Sequence, residues 1–311
     1  MCPVIEQALS ILPRTGLLES VKSFLVSKEA ERVSDNTLRI YARELSAFRL
    51  WAEGRHVASA QKVTPDLLRR YLIHLAERRN AGGQHIAYRV LKTFFRWYER
   101  EYEPEDWRNP VDKVQAPKLA QEILPPVAMD DLRAMLATCE ARTFLGDRDR
   151  AILLCLLDSG CRATEFLALD VGDLDVASGA VHVRRGKGGK GRVTFLGAKS
   201  RRALLSYLRH RGALASDAPL WVTDEGGRLT YMGLRQIIRR RALKAGLPKE
   251  PALHSFRRAF AINSLRAGVD LVSLQRLLGH ADLTVIRRYL AQTQDDLRAA
   301  HRKGSPVDNL L

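Results

Sequence analysis

Cysteine is scarce in this sequence, and the few present are scattered. The 311 residues hold four, Cys2, Cys139, Cys155 and Cys161, with no CxxC pair among them. That pattern excludes a zinc-ribbon framework and a disulfide-stapled secreted fold, and it predicts reduced, mostly structural thiols in a cytosolic protein. Long apolar runs are also lacking. The longest, "AILLCLLD" from Ala151, is far too short to cross a bilayer. The start "MCPVIEQALSILPRTG" has no basic flank leading into an apolar block, so no secretion signal is expected. Acidic side chains are in deficit, with 35 Asp and Glu against 51 Lys and Arg, a formal net charge of +16.

What is present points to a globular chain with a polyanionic partner. Hydrophobic residues make up 46%, enough to bury a core, and the length allows two domains. The charge is unevenly placed. Residues 1–116 carry 19 basic against 15 acidic residues, and the remainder 32 against 20. An excess of this size in a soluble protein suits nucleic acid, although a solvated basic surface would also account for it.

The first part of the chain reads as helical. In "SDNTLRIYARELSAFRLWAE" the cap-forming Ser34, Asp35 and Asn36 precede Leu38, Tyr41, Leu45, Phe48 and Trp51 on one face. "TPDLLRRYLIHLAER" repeats the arrangement, with Thr64 as cap, Pro65 in the first turn and Leu67, Leu68, Tyr71, Leu72 and Leu75 inward. A further helix in "GGQHIAYRVLKTFFRWYEREY" has Ile86, Val90, Phe94 and Trp97 as its stripe. Arg69, Arg70, Arg78, Arg79, Arg89, Lys92 and Arg96 lie on the polar faces, which predicts a small bundle with a basic side. Four prolines in "NPVDKVQAPKLAQEILPPVAMD" then break the periodicity and mark a linker. Beyond it the spacing predicts a helix in "DDLRAMLATCE", a buried helix from Asp147 to Asp158, a turn at "DSG" and a helix from about Ala163. A strand pair flanks a Gly/Lys-rich turn in "GAVHVRRGKGGKGRVTFLG", a short hairpin is possible at "APLWVTDEGGRLT", and helix follows from Tyr231.

Several local patterns could carry chemistry. Arg162 stands at the mouth of an apolar segment, where a guanidinium needs an anionic partner, and Glu165 three residues on can orient it. Taken singly, an ordinary Arg–Glu helix pair explains both. Lys187 and Lys190 sit in "RRGKGGKGR", a turn able to swing an ammonium toward a phosphate or a leaving oxygen. It is no P-loop, because Arg192 follows Gly191 where that motif needs Lys and then Ser or Thr. His254 and Arg257 share a helix face at i and i+3. An arginine there would repel a metal but suits a phosphate, with histidine to exchange a proton. In "LLGHADLTVIRRYL" Gly279 stops a helix in the left-handed conformation and His280 sits at the break. Tyr289 lies nine positions after it, and as a nucleophile it would need neighbouring cations to lower its phenol from an ordinary pKa of about 10.

The conjunction of Arg162, Lys187, His254-x-x-Arg257, Gly279-His280 and Tyr289 resembles the tyrosine recombinase (phage integrase, Xer-like) family, and the likeness covers nearly the whole chain. The resemblance implies a mainly α fold with a small β-sheet. It divides the chain into a helical, SAM-like DNA-binding domain at 1–116, a linker at 117–126 and a mixed α/β catalytic domain with its tail at 127–311. It further implies cutting and rejoining of duplex DNA through a 3′-phosphotyrosine, for integration, excision or dimer resolution. Tyr289 is then the nucleophile, Arg162 and Arg257 the phosphate clamp and Lys187 the general acid, preferred to Lys190. His254 would handle the tyrosine proton and His280 hydrogen-bond the phosphate. No cofactor and no metal are expected. The two domains would close on DNA as a clamp hinged near the linker. DNA contacts are expected from Arg69, Arg70, Arg89, Lys92, Arg96, Arg235, Arg239 and Arg240. A homo-oligomer on DNA, a tetramer, is expected, with the tail Leu290–Leu311 docking on a neighbour or packing on its own protomer. Cys161 and Arg258–Ala259 depart from the family's commonest wording without touching a catalytic position. The rival readings are a type IB topoisomerase-like relaxing enzyme and a non-catalytic DNA-binding regulator. The N-terminal helices argue against the first and the complete set of six residues against the second.

Overall fold

The computed structural model describes residues 16–118, 125–184 and 191–279, together with Arg298, His301, Arg302, Gly304, Ser305, Val307 and Asp308. The chain divides into two compact units, Met1–Glu122 and Ile123–Leu311. Among the described residues no helix is long and apolar enough to cross a membrane.

Among its described residues the first unit has four α-helices, α1 (Leu17–Ala30), α2 (Asp35–Glu53), α3 (Pro65–Ala76) and α4 (Ala81–Tyr102). Their starts are written in the sequence: the side chains of Ser34, Thr64 and Asn80 accept the backbone N–H of Thr37, Leu67 and Gly83, satisfying donors that a helix leaves unpaired. Aromatic rings fill the core. Phe24 meets Phe94 edge-on at 5.6 Å and Trp97 at 5.4 Å, and Phe48 meets Tyr71 at 5.1 Å, separations at which the ring quadrupoles attract. Two features depart from the sequence expectation. Helix α1 was not foreseen as an element. Ile86, expected in the buried stripe of α4, is 44% exposed. The stripe is centred on Ala87, Leu91, Phe94 and Tyr98, and Ile86 lies about a quarter-turn off it at 3.6 residues per turn.

The second unit opens with α5 (Met129–Ala137), α6 (Phe144–Ser159) and the short α7 (Ala163–Leu167). A three-stranded antiparallel sheet follows in the order β1 (Leu174–Asp175), β2 (Ala180–Val183), β3 (Arg192–Phe195), with Val181 opposite Thr194 and Val183 opposite Arg192. Then come α8 (Ala198–Arg209), α9 (Tyr231–Lys244), α10 (Leu253–Arg266) and α11 (Leu271–Leu278). Helix α6 runs through the core, packed on α8 and α10. Trp221 is buried between Phe166, stacked at 4.6 Å, and Tyr207 at 5.7 Å. Deep beside them Asp149, fully buried, pairs with Arg148, Arg240 and Arg241 and so joins α6 to α9.

Here too the structure adds and corrects. Helix α8 and strand β1 were not expected. The anticipated hairpin at 218–230 is reduced to a single bridge, Val222 to Arg228, because Asp224–Gly227 form its tight turn and the chain re-enters helix at Tyr231. Strand β3 also inverts the usual alternation: Val193 and Phe195 are exposed, whereas Thr194 and the Arg192 side chain are buried.

Candidate active site

The site begins where α6 ends. Gly160 caps that helix in the left-handed region, φ 59°, and a Cβ there would stand 2.5 Å from the Phe260 ring, so glycine is required on both counts. The turn delivers Cys161, buried with its thiol pushed up by that burial, and then Arg162 at the threshold of α7.

Glu165 is the hub. Its carboxylate accepts the backbone N–H of Arg162 at 3.0 Å, the Arg162 guanidinium at 2.7 Å and the Arg192 guanidinium at 2.7 Å. Arg257 Nη1 approaches the same carboxylate to 3.9 Å. Burial alone would raise the Glu165 pKa, but the bonds from Arg192 and Arg162 reverse this and bring it down to about 2. One ionised carboxylate therefore faces three guanidiniums. Burial, then repulsion from Arg162, pushes the Arg257 pKa down to about 10, with Glu165 opposing. Arg257 stays charged at neutral pH, and an anion lodged beside Arg162 and Arg257 would relieve the repulsion.

Arg257 is also a structural tie. Its two terminal nitrogens donate to Gly160 O at 2.8 Å and Leu278 O at 2.7 Å, linking α10 to the ends of α6 and α11. One turn earlier, His254 is exposed. Partial desolvation first, then the charges of Arg258, Arg257 and Arg162, lower its pKa, which keeps the ring neutral and able to take a proton at pH 7. Helix α11 stops as the sequence requires: Gly279 is left-handed, φ 65°, and its N–H returns to Gln275 O and Arg276 O.

Of the six expected catalytic residues, the structure brings Arg162, His254 and Arg257 into one electrostatic neighbourhood. Lys187, His280 and Tyr289 lie outside the described residues. The expected DNA contacts divide. Arg89, Lys92 and Arg96 line a shallow concavity of about 370 Å³ on α4 with His85 and Thr93, and no acidic side chain pairs with them among the described residues. Arg69 donates to Lys113 O, Arg70 pairs with Asp66, Arg235 and Arg239 face Glu250, and Arg240 is tied to Asp149. Sequence reasoning missed Arg192 as a member of the site. Its signal was its place as the last residue of the basic turn and the first of β3, on the face that Thr194 buries.

Residues 127–295 match the model of the phage integrase family, and residues 17–104 match that of the phage integrase N-terminal SAM-like domain. Tyrosine recombinase XerC of Pelobacter propionicus is 33% identical over 295 residues, covering 93% of this chain and 96% of its own length. Tyrosine recombinase XerD of Ralstonia nicotianae is 32% identical over 276 residues, 87% of this chain and 88% of its own. In fold, the chain is similar to the XerH recombinase bound to difH in a post-cleavage complex, with TM-score 0.69 at 21% identity over 92% of this chain and 84% of that one. A lambda integrase dimer bound to a core site gives TM-score 0.72 at 18% identity, covering 91% and 78%.

Proposed function

Because the chain belongs to the phage integrase family, we propose that it is a site-specific DNA recombinase that cuts and rejoins duplex DNA through a covalent 3′-phosphotyrosine. The observation that carries this reading is the convergence of Arg162 and Arg257 on one buried carboxylate, within the electrostatic reach of His254. In chemical terms that is a rigid cationic seat for a phosphate that gains charge in its transition state.

The remaining roles follow the family's pattern residue by residue. The Tyr289 phenol oxygen attacks the scissile phosphorus and gives its proton to His254. Arg162 and Arg257 hold the non-bridging oxygens, and His280 donates to the phosphate. The bond from phosphorus to the 5′-oxygen breaks, and the Lys187 ammonium protonates the departing oxygen. The phosphotyrosine keeps the energy of the broken bond, so attack by a 5′-hydroxyl reseals the strand without ATP. Residues 1–116 serve as the DNA-binding domain, 117–126 as the linker and 127–311 as the catalytic domain. The partner is double-stranded DNA, on which the protein assembles as a homo-oligomer, a tetramer, in the cytoplasm.

The test is covalent trapping. Wild type and Tyr289→Phe are each incubated with a pool of nicked suicide duplexes of randomised arm sequence and run on a denaturing gel. A slow-migrating adduct formed by wild type alone is the expected result. No adduct despite binding would favour a regulator, and an adduct surviving in Tyr289→Phe would identify a different nucleophile.

A further inference from the structure

Arg192 lies at the end of the most basic turn in the sequence, where a side chain reaching out to DNA phosphates would be the ordinary expectation. The structure turns it the other way. Its side chain is only 8% exposed. Nε donates to Leu277 O at 2.8 Å and Nη2 to Glu165 at 2.7 Å, with the Cys161 sulfur 3.9 Å from the same nitrogen. The two directed bonds leave from different nitrogens of one planar group toward separate acceptors, which suits a guanidinium and not an ammonium.

We propose that Arg192 is a positioning residue for strand cleavage: it fixes the Arg162–Glu165 pair against the C-terminal end of α11, and so sets where the phosphate clamp stands relative to the chain that leaves α11. This rests on the recombinase reading above. Three further observations support it. Leu277 O is one of the carbonyls a helix leaves without an internal partner, and a cation there also meets the negative end of the helix dipole. The neighbouring carbonyl, Leu278 O, is held by Arg257, so two arginines of the site grip the last turn of α11. Finally, a Cβ at Gly279 would stand 2.8 Å from Arg192 Cδ. Glycine at that position thus serves the left-handed turn and also makes room for the arginine. Arg192 itself touches no substrate in this scheme; it acts through Arg162.

A duplex recovered from the trapping pool allows the test. Single-turnover adduct formation is measured for wild type, Arg192→Ala and Arg192→Lys on that duplex. It is measured again on the same duplex with a methylphosphonate at the scissile position, where one charged oxygen is replaced by a neutral methyl. Binding affinity and melting temperature are followed in parallel. The expected result is a loss of about 100-fold on the phosphodiester, the scale of a misplaced catalytic group. On the methylphosphonate, which makes less demand on the clamp, the loss should shrink several-fold. Arg192→Lys keeps charge and volume, so it carries the test if Arg192→Ala does not fold. An equal loss on both substrates would reduce Arg192 to a structural residue and overturn the proposal. So would a loss explained by weaker DNA binding, which would make it a phosphate contact. A wild-type protein that forms no Tyr289-dependent adduct would overturn the recombinase reading and this inference together, whereas normal rates in both variants would overturn this inference alone.

Discussion

Helix α4 and the core of the second unit are both rich in arginine and use it in opposite ways. On α4, Arg89, Lys92 and Arg96 face a shallow concavity with no acidic partner among the described residues. In the second unit Arg148, Arg192, Arg241 and Arg257 are buried, each with a carboxylate or carbonyl held at a set distance. The contrast teaches what to expect of each. An open cation gains by exchanging counterions with a polyanion and keeps its freedom until it binds. A buried one has its geometry fixed beforehand, which is what transition-state stabilisation needs and simple affinity does not.

The comparison can be broken most severely at Asp149. Removing it in Asp149→Ala would strand Arg148, Arg240 and Arg241 without their shared carboxylate. Loss of one partner from a buried ionic group costs about 3–5 kcal/mol, to be read from denaturant unfolding; a loss below 1 kcal/mol would show that water replaces the carboxylate. Next comes acid. The Glu165 pKa is lower in the folded protein than in the unfolded chain, from 4.5 to about 2, so its contribution is complete above about pH 4.5. It is lost as pH falls toward 2, and amounts to about 3 kcal/mol at 1.36 kcal/mol per unit. Unfolding free energy measured across that range should fall more steeply in wild type than in Glu165→Gln. Parallel curves would mean that the arginines do not stabilise the carboxylate. The smallest effect belongs to α4. Alanine at Arg89, Lys92 or Arg96 should leave stability unchanged within about 0.5 kcal/mol. Each should lower the slope of log affinity against log salt by about 0.9, one phosphate contact. An unchanged slope would take that residue out of the DNA face.

Much of this was legible in the sequence because single residues carried single signals. Ser34, Thr64 and Gly279 cap or stop helices through their own backbone chemistry, and each does so here. Arg162 and Glu165 stood out because charge at the edge of an apolar segment needs a partner, and His254 and Arg257 because they share a helix face; only the resemblance to the recombinase family joined them into one site. Helix α8 was passed over although it was legible: Ala, Leu, Arg and Lys are strong helix formers, and Ser200, Ala203, Leu204 and Tyr207 recur at helical spacing on its buried face. Arg192 was hidden for a different reason. Pattern reading sends apolar residues inward and charged ones outward, while β3 does the reverse, exposing Val193 and Phe195 around a buried Thr194. Only the partners reveal why, and Leu277 and Glu165 lie 85 and 27 residues from Arg192 along the chain.

Those separations have a kinetic meaning. The bond from Arg257 to Gly160 spans 97 residues, so the ties that assemble the phosphate seat are among the contacts whose loop closure is slowest to be repaid. A nascent chain still lacking α11 has Glu165 to gather Arg162, Arg192 and Arg257, but not the carbonyls of Leu277 and Leu278 that anchor Arg192 and Arg257. The full geometry of the phosphate seat therefore waits on the closing of α11 against these two arginines.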